Sequence, residues 1–270
     1  MPSGTVDQER ERGYTLRHRS VRAGVAMSST FLLVHPAWFG GWSWRKVVPL
    51  LREAGYEVFT PTLTGLGERA HLARPEIGLD THIDDVVAVI EQEDLSDVLL
   101  LGNSSSGMVI TGVAGRVPER ISRLIYLDAF VPEDGQSLLD MLPPDRRVTF
   151  EALVRDEGDG WLMPRFSPAP WERFMPEAWG IIGDDLAWVL ARVRPTPFGH
   201  FTGAVNNTKA ATEQLRRAYI RCREFSHPGF DRFAQQAQHQ SGWQCFDLAT
   251  SHLPQITAPR ALADVLLQMP

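Results

Sequence analysis

Apolar residues along this chain fall into short runs separated by longer amphipathic stretches. Phe31–Val34 (FLLV) and Asp97–Leu101 (DVLLL) are continuous enough to predict strands buried on both faces. Tyr56–Phe59, Ile121–Leu127, Tyr219–Cys222 and Trp243–Leu248 predict four more. Between them the spacing predicts helices from about Ser43 to Ala54, over Thr81–Glu91, after Gly107 to about Arg116, near 228–239, and from Pro259 to Gln268. Gly55 is a good stop for the first. In the second, Ile83, Val86, Val87 and Ile90 share one face. Strands alternating with helices predict an α/β fold, a mostly parallel sheet with helices on both faces.

Two stretches break this rhythm. Residues 1–28 are charge-rich (ERERGYTLRHRSVR) with no apolar core, so they are expected to form a poorly ordered extension rather than a signal peptide. Residues 135–205 are rich in proline and tryptophan and predict a helical cap inserted into a core of 29–134 and 206–270.

Composition narrows the partners. The 270 residues carry a net charge of −6, which offers no basic footprint for nucleic acid or an anionic membrane. No apolar run is long enough for a membrane-spanning helix. The two cysteines, Cys222 and Cys245, lie in strand-like runs and have neither disulfide-framework nor metal-ligand spacing. Both are expected to be buried thiols in a reducing, cytoplasmic compartment. The oligomeric state stays open, a homodimer included.

The chemistry concentrates where DVLLL runs into Gly102-Asn103-Ser104-Ser105-Ser106-Gly107 and then a helix. A strand that turns into a helix within a few residues must strain its turn residue and lift that side chain above the sheet edge. Spacing from Gly102 makes Ser104 the candidate nucleophile, with Ser105 and Ser106 as rival hydroxyls. The Ser105 N–H at the helix start is one candidate oxyanion donor. The loop His35-Pro36-Ala37-Trp38 follows the first strand and supplies the other. Pro36 has no N–H, so Ala37 is the candidate. His252, just past the last strand, is the candidate base, and His35 is expected to be structural. The acid is open between Asp128, at the end of LIYLD, and Glu224, after YIRCR; Asp231 and Glu133 are weaker. An isolated carboxylate ending an apolar strand is costly without a partner, which favours Asp128.

From Phe31 onward the chain resembles the α/β-hydrolase branch of plant methyl esterases, hydroxynitrile lyases and their bacterial relatives. FLLVHPAWFGGWSW, PTLTGLGERAHL, LLLGNSSSGMVITG, IYLDAFVPEDGQS and TAPRALADVLL carry the resemblance. It implies a hydrolase sheet with a helical cap, a small hydrophobic ester-like substrate and no cofactor. It also implies Ser104 and His252 as catalytic residues, with the amides of Ala37 and Ser105 as oxyanion hole. In the plant esterases the acid falls where this chain has Phe225, which cannot serve; in some relatives it falls on Asp128.

The chain departs from the family pattern at Pro36, Asn103, Ser106 and Ser251. The lyases' Thr and Lys fall on Pro36 and Leu253, so cyanohydrin cleavage ranks low. The expected function is hydrolysis of a small ester or lactone through an acyl-enzyme. The alternatives are a lyase, cyclase or acyltransferase on the same site, or a ligand-binding protein that does no chemistry. Trp38, Trp161, Trp179 and Trp188, with Trp171, are candidates to line the pocket.

Overall fold

The computed structural model describes residues 30–165 and 179–269; the proposed extension over 1–28 and Trp171 lie outside the described residues. Six strands form one sheet: β1 (Thr30–Val34), β2 (Glu57–Phe59), β3 (Val98–Asn103), β4 (Ile121–Leu127), β7 (Arg216–Cys222) and β8 (Trp243–Leu248). Their order is β2-β1-β3-β4-β7-β8 and every pairing is parallel. Alternate residues feed two separate cores. Leu32, Val34, Leu100, Leu124 and Tyr126 face one layer, with helices α2 (Leu79–Gln92), α3 (Ser106–Arg116) and α8 (Pro228–His239). Phe31, Leu33, Leu99, Leu101 and Ile125 face the other, with α1 (Val48–Glu53) and α10 (Pro259–Leu266). Burial on both faces is why these strands read as continuous apolar runs.

The chain leaves β1 toward β2 and then returns to the opposite side of β1 as β3. The loops after β1 and β3 therefore diverge at the sheet's C-terminal edge, where α/β proteins form their ligand crevice.

Most strand expectations hold. The expected helix over 43–54 does not: Gly41–Trp44 is a 3-10 turn and α1 starts only at Val48. Pro49 lacks an N–H and is accommodated in a first helical turn, so the helix begins beside it. Between β4 and β7 lie α4 (Pro144–Glu157), α5 (Gly183–Leu190), α6 (Gly199–Thr202), α7 (Lys209–Gln214) and a two-residue antiparallel ribbon, β5 (Leu162–Met163) with β6 (Thr196–Pro197). A further short helix, α9 (Pro254–Thr257), precedes α10. Cys222 is buried, but Cys245 is exposed, correcting the expectation of two buried thiols: it sits on β8, which is an edge strand among the described residues. No helix among the described residues is long and apolar enough to cross a membrane.

Three histidines tie loops to this core. His35 donates from Nδ1 to the Pro36 carbonyl (2.9 Å) and accepts the Leu63 N–H at Nε2 (3.1 Å). His82 donates from Nε2 to the Thr64 carbonyl, and its Nδ1 meets His200 Nδ1 at 2.9 Å. All three are buried, and burial lowers each pKa, that of His35 to about 4.

In the unfolded chain the His35 imidazole returns to about 6.5. Below that pH the unfolded chain binds a proton that the native one refuses. Stability is therefore complete above about pH 6.5 and declines as the pH falls toward 4. Urea unfolding at pH 7.5 and 4.5 should differ by about 2.5 kcal/mol from His35 alone. The His35→Gln variant, whose amide oxygen keeps an acceptor for Leu63, should show a decline smaller by about that amount. Identical declines in the two proteins would show that His35 does not set the slope.

Candidate active site

Ser104 occupies the turn between β3 and α3 with φ +58°. A side chain in this left-handed region costs of order 1–3 kcal/mol, so its surroundings must hold it there. Its N–H donates to the Leu127 carbonyl (3.2 Å), and its carbonyl accepts from Gly107 (3.2 Å) and Phe130 (3.1 Å). The flanking glycines are sterically required. A Cβ on Gly102 would lie 2.6 Å from the Ser106 carbonyl oxygen, and one on Gly107 would collide with that of Phe130. Of the three consecutive serines, Ser104 is half-buried while Ser105 and Ser106 are buried, so Ser104 is the most exposed of them.

Asp128 ends the neighbouring strand β4, fully buried, with φ +43°. Its Oδ2 accepts from His252 Nδ1 at 2.8 Å. Its Oδ1 accepts from Arg221 Nη1 (2.7 Å) and from the Cys222 N–H (3.2 Å). The carboxylate that needed a partner thus has three donors, one of them cationic. Arg221 is almost as buried and continues the network to Asp231 (2.8 Å) and to the Phe225 carbonyl (2.6 Å). Glu224, the alternative acid, is exposed and makes no side-chain hydrogen bond among the described residues; Asp128 is the carboxylate on His252.

Because Nδ1–H of His252 is committed to Asp128, Nε2 is the basic nitrogen of the neutral ring. Among the described residues neither Nε2 nor Ser104 Oγ has a hydrogen-bond partner, so both are free for a ligand. Asn103, immediately before Ser104, bonds the Leu127 carbonyl (2.9 Å) and the His252 carbonyl (3.4 Å), and Gln255 Nε2 donates to its Oδ1 (2.9 Å). This links the elbow to the histidine loop. Ser251 Oγ donates to the Trp179 carbonyl.

The loop after β1 lies against the start of α3. Ser106 Oγ donates to the His35 carbonyl, and Ser105 Oγ accepts the Ala37 N–H at 2.9 Å. The two expected oxyanion amides therefore differ. The Ser105 N–H has no acceptor among the described residues, whereas that of Ala37 is taken by the Ser105 hydroxyl.

Aromatic rings surround His252: Phe225 at 4.5 Å between centroids, Phe230 nearly parallel at 5.2 Å, and Trp179 at 6.1 Å. Trp38 has φ +68° and packs on Phe201, its indole N–H bonded to the Pro164 carbonyl (3.1 Å). Trp188 meets Trp42 edge-on, with Arg45 and Arg192 over its ring. Trp161 is half-buried next to the ribbon, its carbonyl bonded by the Phe198 N–H. Of these four, Trp179 alone has a ring contact with His252 among the described residues.

Residues 31–265 match the alpha/beta hydrolase family. The chain belongs to that family. It is 37% identical over 246 residues to a carbendazim hydrolyzing esterase of Nocardioides sp. (strain SG-4G), covering 88% of this chain and 98% of that one. It is 30% identical over 215 residues to salicylic acid-binding protein 2 of Nicotiana tabacum, covering 72% and 78%. Among solved structures, an extracellular alpha/beta-hydrolase from a Paenibacillus species superposes with a TM-score of 0.77 at 27% identity, covering 89% and 98%.

Sequence reasoning missed Arg221, Asn103 and Gln255 in this hydrolase. An arginine in the apolar YIRC run was the available signal, since such a strand tolerates a cation only beside a buried anion. Removing Arg221 should expose that dependence. Arg221→Met leaves a buried carboxylate short of its cation and should cost about 3–5 kcal/mol in urea unfolding. Adding Asp128→Asn should recover part of the loss, and strictly additive losses would mean that the two side chains are not coupled.

Proposed function

We propose that this hydrolase cleaves a small, hydrophobic carboxylic ester through an acyl-enzyme on Ser104. The observation that carries the reading is the buried 2.8 Å bond from His252 Nδ1 to Asp128, at the end of the strand beside the Ser104 elbow. His252 Nε2 takes the Ser104 proton as Oγ attacks the acyl carbon. Asp128 keeps the ring in the required tautomer and stabilises the imidazolium. The unpaired Ser105 N–H, at the positive end of α3, faces the charge that develops on the carbonyl oxygen. The protonated ring then hands its proton to the leaving alcohol, and water resolves the acyl-enzyme by the same route in reverse.

Phe225, Phe230 and Trp179 around the imidazole support an apolar acyl or alcohol group. In this reading the described residues of 135–205 serve as the cap over it, contributing Trp179 and the Trp38 contacts. The esterases among its relatives make methyl esters and carbendazim the first compounds to try.

A chromogenic short-chain ester should be turned over by the wild type and not by Ser104→Ala, with fluorophosphonate labelling lost in parallel. Asp128→Asn should reduce kcat by about 10⁴-fold, because the amide favours the wrong tautomer. Glu224→Gln should stay within about twofold, as expected of an exposed side chain remote from the chemistry. Full activity in Ser104→Ala, or a larger loss in Glu224→Gln than in Asp128→Asn, would refute the assignment.

A further inference from the structure

In an ester hydrolase of this kind the developing oxyanion requires two donors in fixed positions. Here the Ser105 N–H is free, but the amide on the opposite wall is not. Ala37 N–H points at Ser105 Oγ, 2.9 Å away. Ser105 is 3% exposed, and no acceptor for its hydroxyl proton is present among the described residues. Ser105 thus interposes a hydroxyl between the Ala37 amide and the place a carbonyl oxygen would take.

A hydroxyl can accept and donate at once. Having accepted the Ala37 N–H, Ser105 Oγ is polarised, and its O–H becomes a stronger donor. An oxyanion bonded to it would sit about 2.7 Å farther on, beyond direct reach of the Ala37 nitrogen. The alternative is that the side chain is merely a plug, which must rotate away before the amide can work. Its surroundings oppose this. Ser105 is buried at the N-cap of α3, and the loop carrying Ala37 is pinned to the same helix by the Ser106 bond to the His35 carbonyl.

We propose that the Ser105 hydroxyl is the second oxyanion donor, with the Ala37 amide acting through it. The residue would then contribute twice, through its N–H and its O–H. No proton is transferred: the O–H shortens its bond to the carbonyl oxygen as that atom gains charge, and lengthens it when the acyl-enzyme forms. The inference rests on the Ser104 acyl-enzyme reading above.

The experiment compares wild type, Ser105→Ala, Ser105→Thr and Ser104→Ala on a chromogenic short-chain ester and on an aryl trifluoromethyl ketone, which forms a tetrahedral oxyanion on the serine. Ser105→Ala should lose about 10²-fold in kcat with KM within about twofold. Its affinity for the ketone should fall by a similar factor, while Ser105→Thr, which keeps a hydroxyl, should retain most of both. A structural role alone would not split kcat from KM or follow the ketone. Should Ser105→Ala fail to fold, as judged by circular dichroism, Ser105→Cys carries the test: its weak S–H donor should give the same loss. Equal or greater kcat in a folded Ser105→Ala would mean that the hydroxyl is a plug and overturn the inference, leaving the esterase reading intact. Wild-type turnover that persists in Ser104→Ala would overturn that reading and this one together.

Discussion

The site is organised around one buried negative charge. Asp128 is fully buried at the end of an apolar strand, where an ionised carboxylate survives only with donors on its lone pairs. Arg221 and the Cys222 N–H take one oxygen, and His252 takes the other. Arg221 is therefore not free to be a surface residue. It is drawn into the core and must satisfy its remaining N–H groups on Asp231 and the carbonyls of Cys222 and Phe225. Those carbonyls belong to the turn after β7, so the charge pair also shapes that turn. The turn in its course presents Phe225 to the imidazole face. The buried carboxylate just after β4 and the aromatic ring at position 225 are thus joined through this one turn.

The polar side chains of the elbow and of the histidine loop follow the same logic of satisfied groups. Asn103, Ser106 and Ser251 each form a bond between elements that the strands alone do not join. Asn103 links β3 to the histidine loop, Ser106 links α3 to the loop after β1, and Ser251 links the histidine loop to Trp179. Their observed bonds make all three braces between elements. Such braces matter because Ser104, Asp128 and Trp38 all hold left-handed backbone conformations that local preference opposes.

Much of this was legible in the sequence because the signals are local. Continuous apolar runs exposed β1, β3 and β4, and the glycine spacing around Ser104 marks a turn whose neighbours leave no room for a Cβ. Asp128 was legible for an energetic reason, the cost of its burial, which also disfavours the exposed Glu224. What was not legible depends on pairings distant in the chain. Arg221 and Asp128 are 93 positions apart, and neither announces the other. The Ser105–Ala37 bond spans 68, so a free Ala37 amide was a reasonable expectation. The tryptophans looked alike in sequence, yet Trp179 packs on the imidazole while Trp188 packs on Trp42 under two arginines. Composition cannot separate those fates.

The aromatic ring set around His252 gives the buried charge its chemical meaning. Phe225, Phe230 and Trp179 keep water from much of the imidazole, so a proton arriving there cannot rely on solvent to stabilise it. Low polarity strengthens the attraction to Asp128 while penalising any cation without such a partner. His227 illustrates the penalty: it stacks on Phe230 in the same cluster, lacks a carboxylate, and burial holds its pKa down at about 4. Two histidines in one apolar neighbourhood thus differ in their partners: His252 Nδ1 bonds Asp128, whereas His227 Nδ1 accepts the Phe230 N–H as the cap of α8.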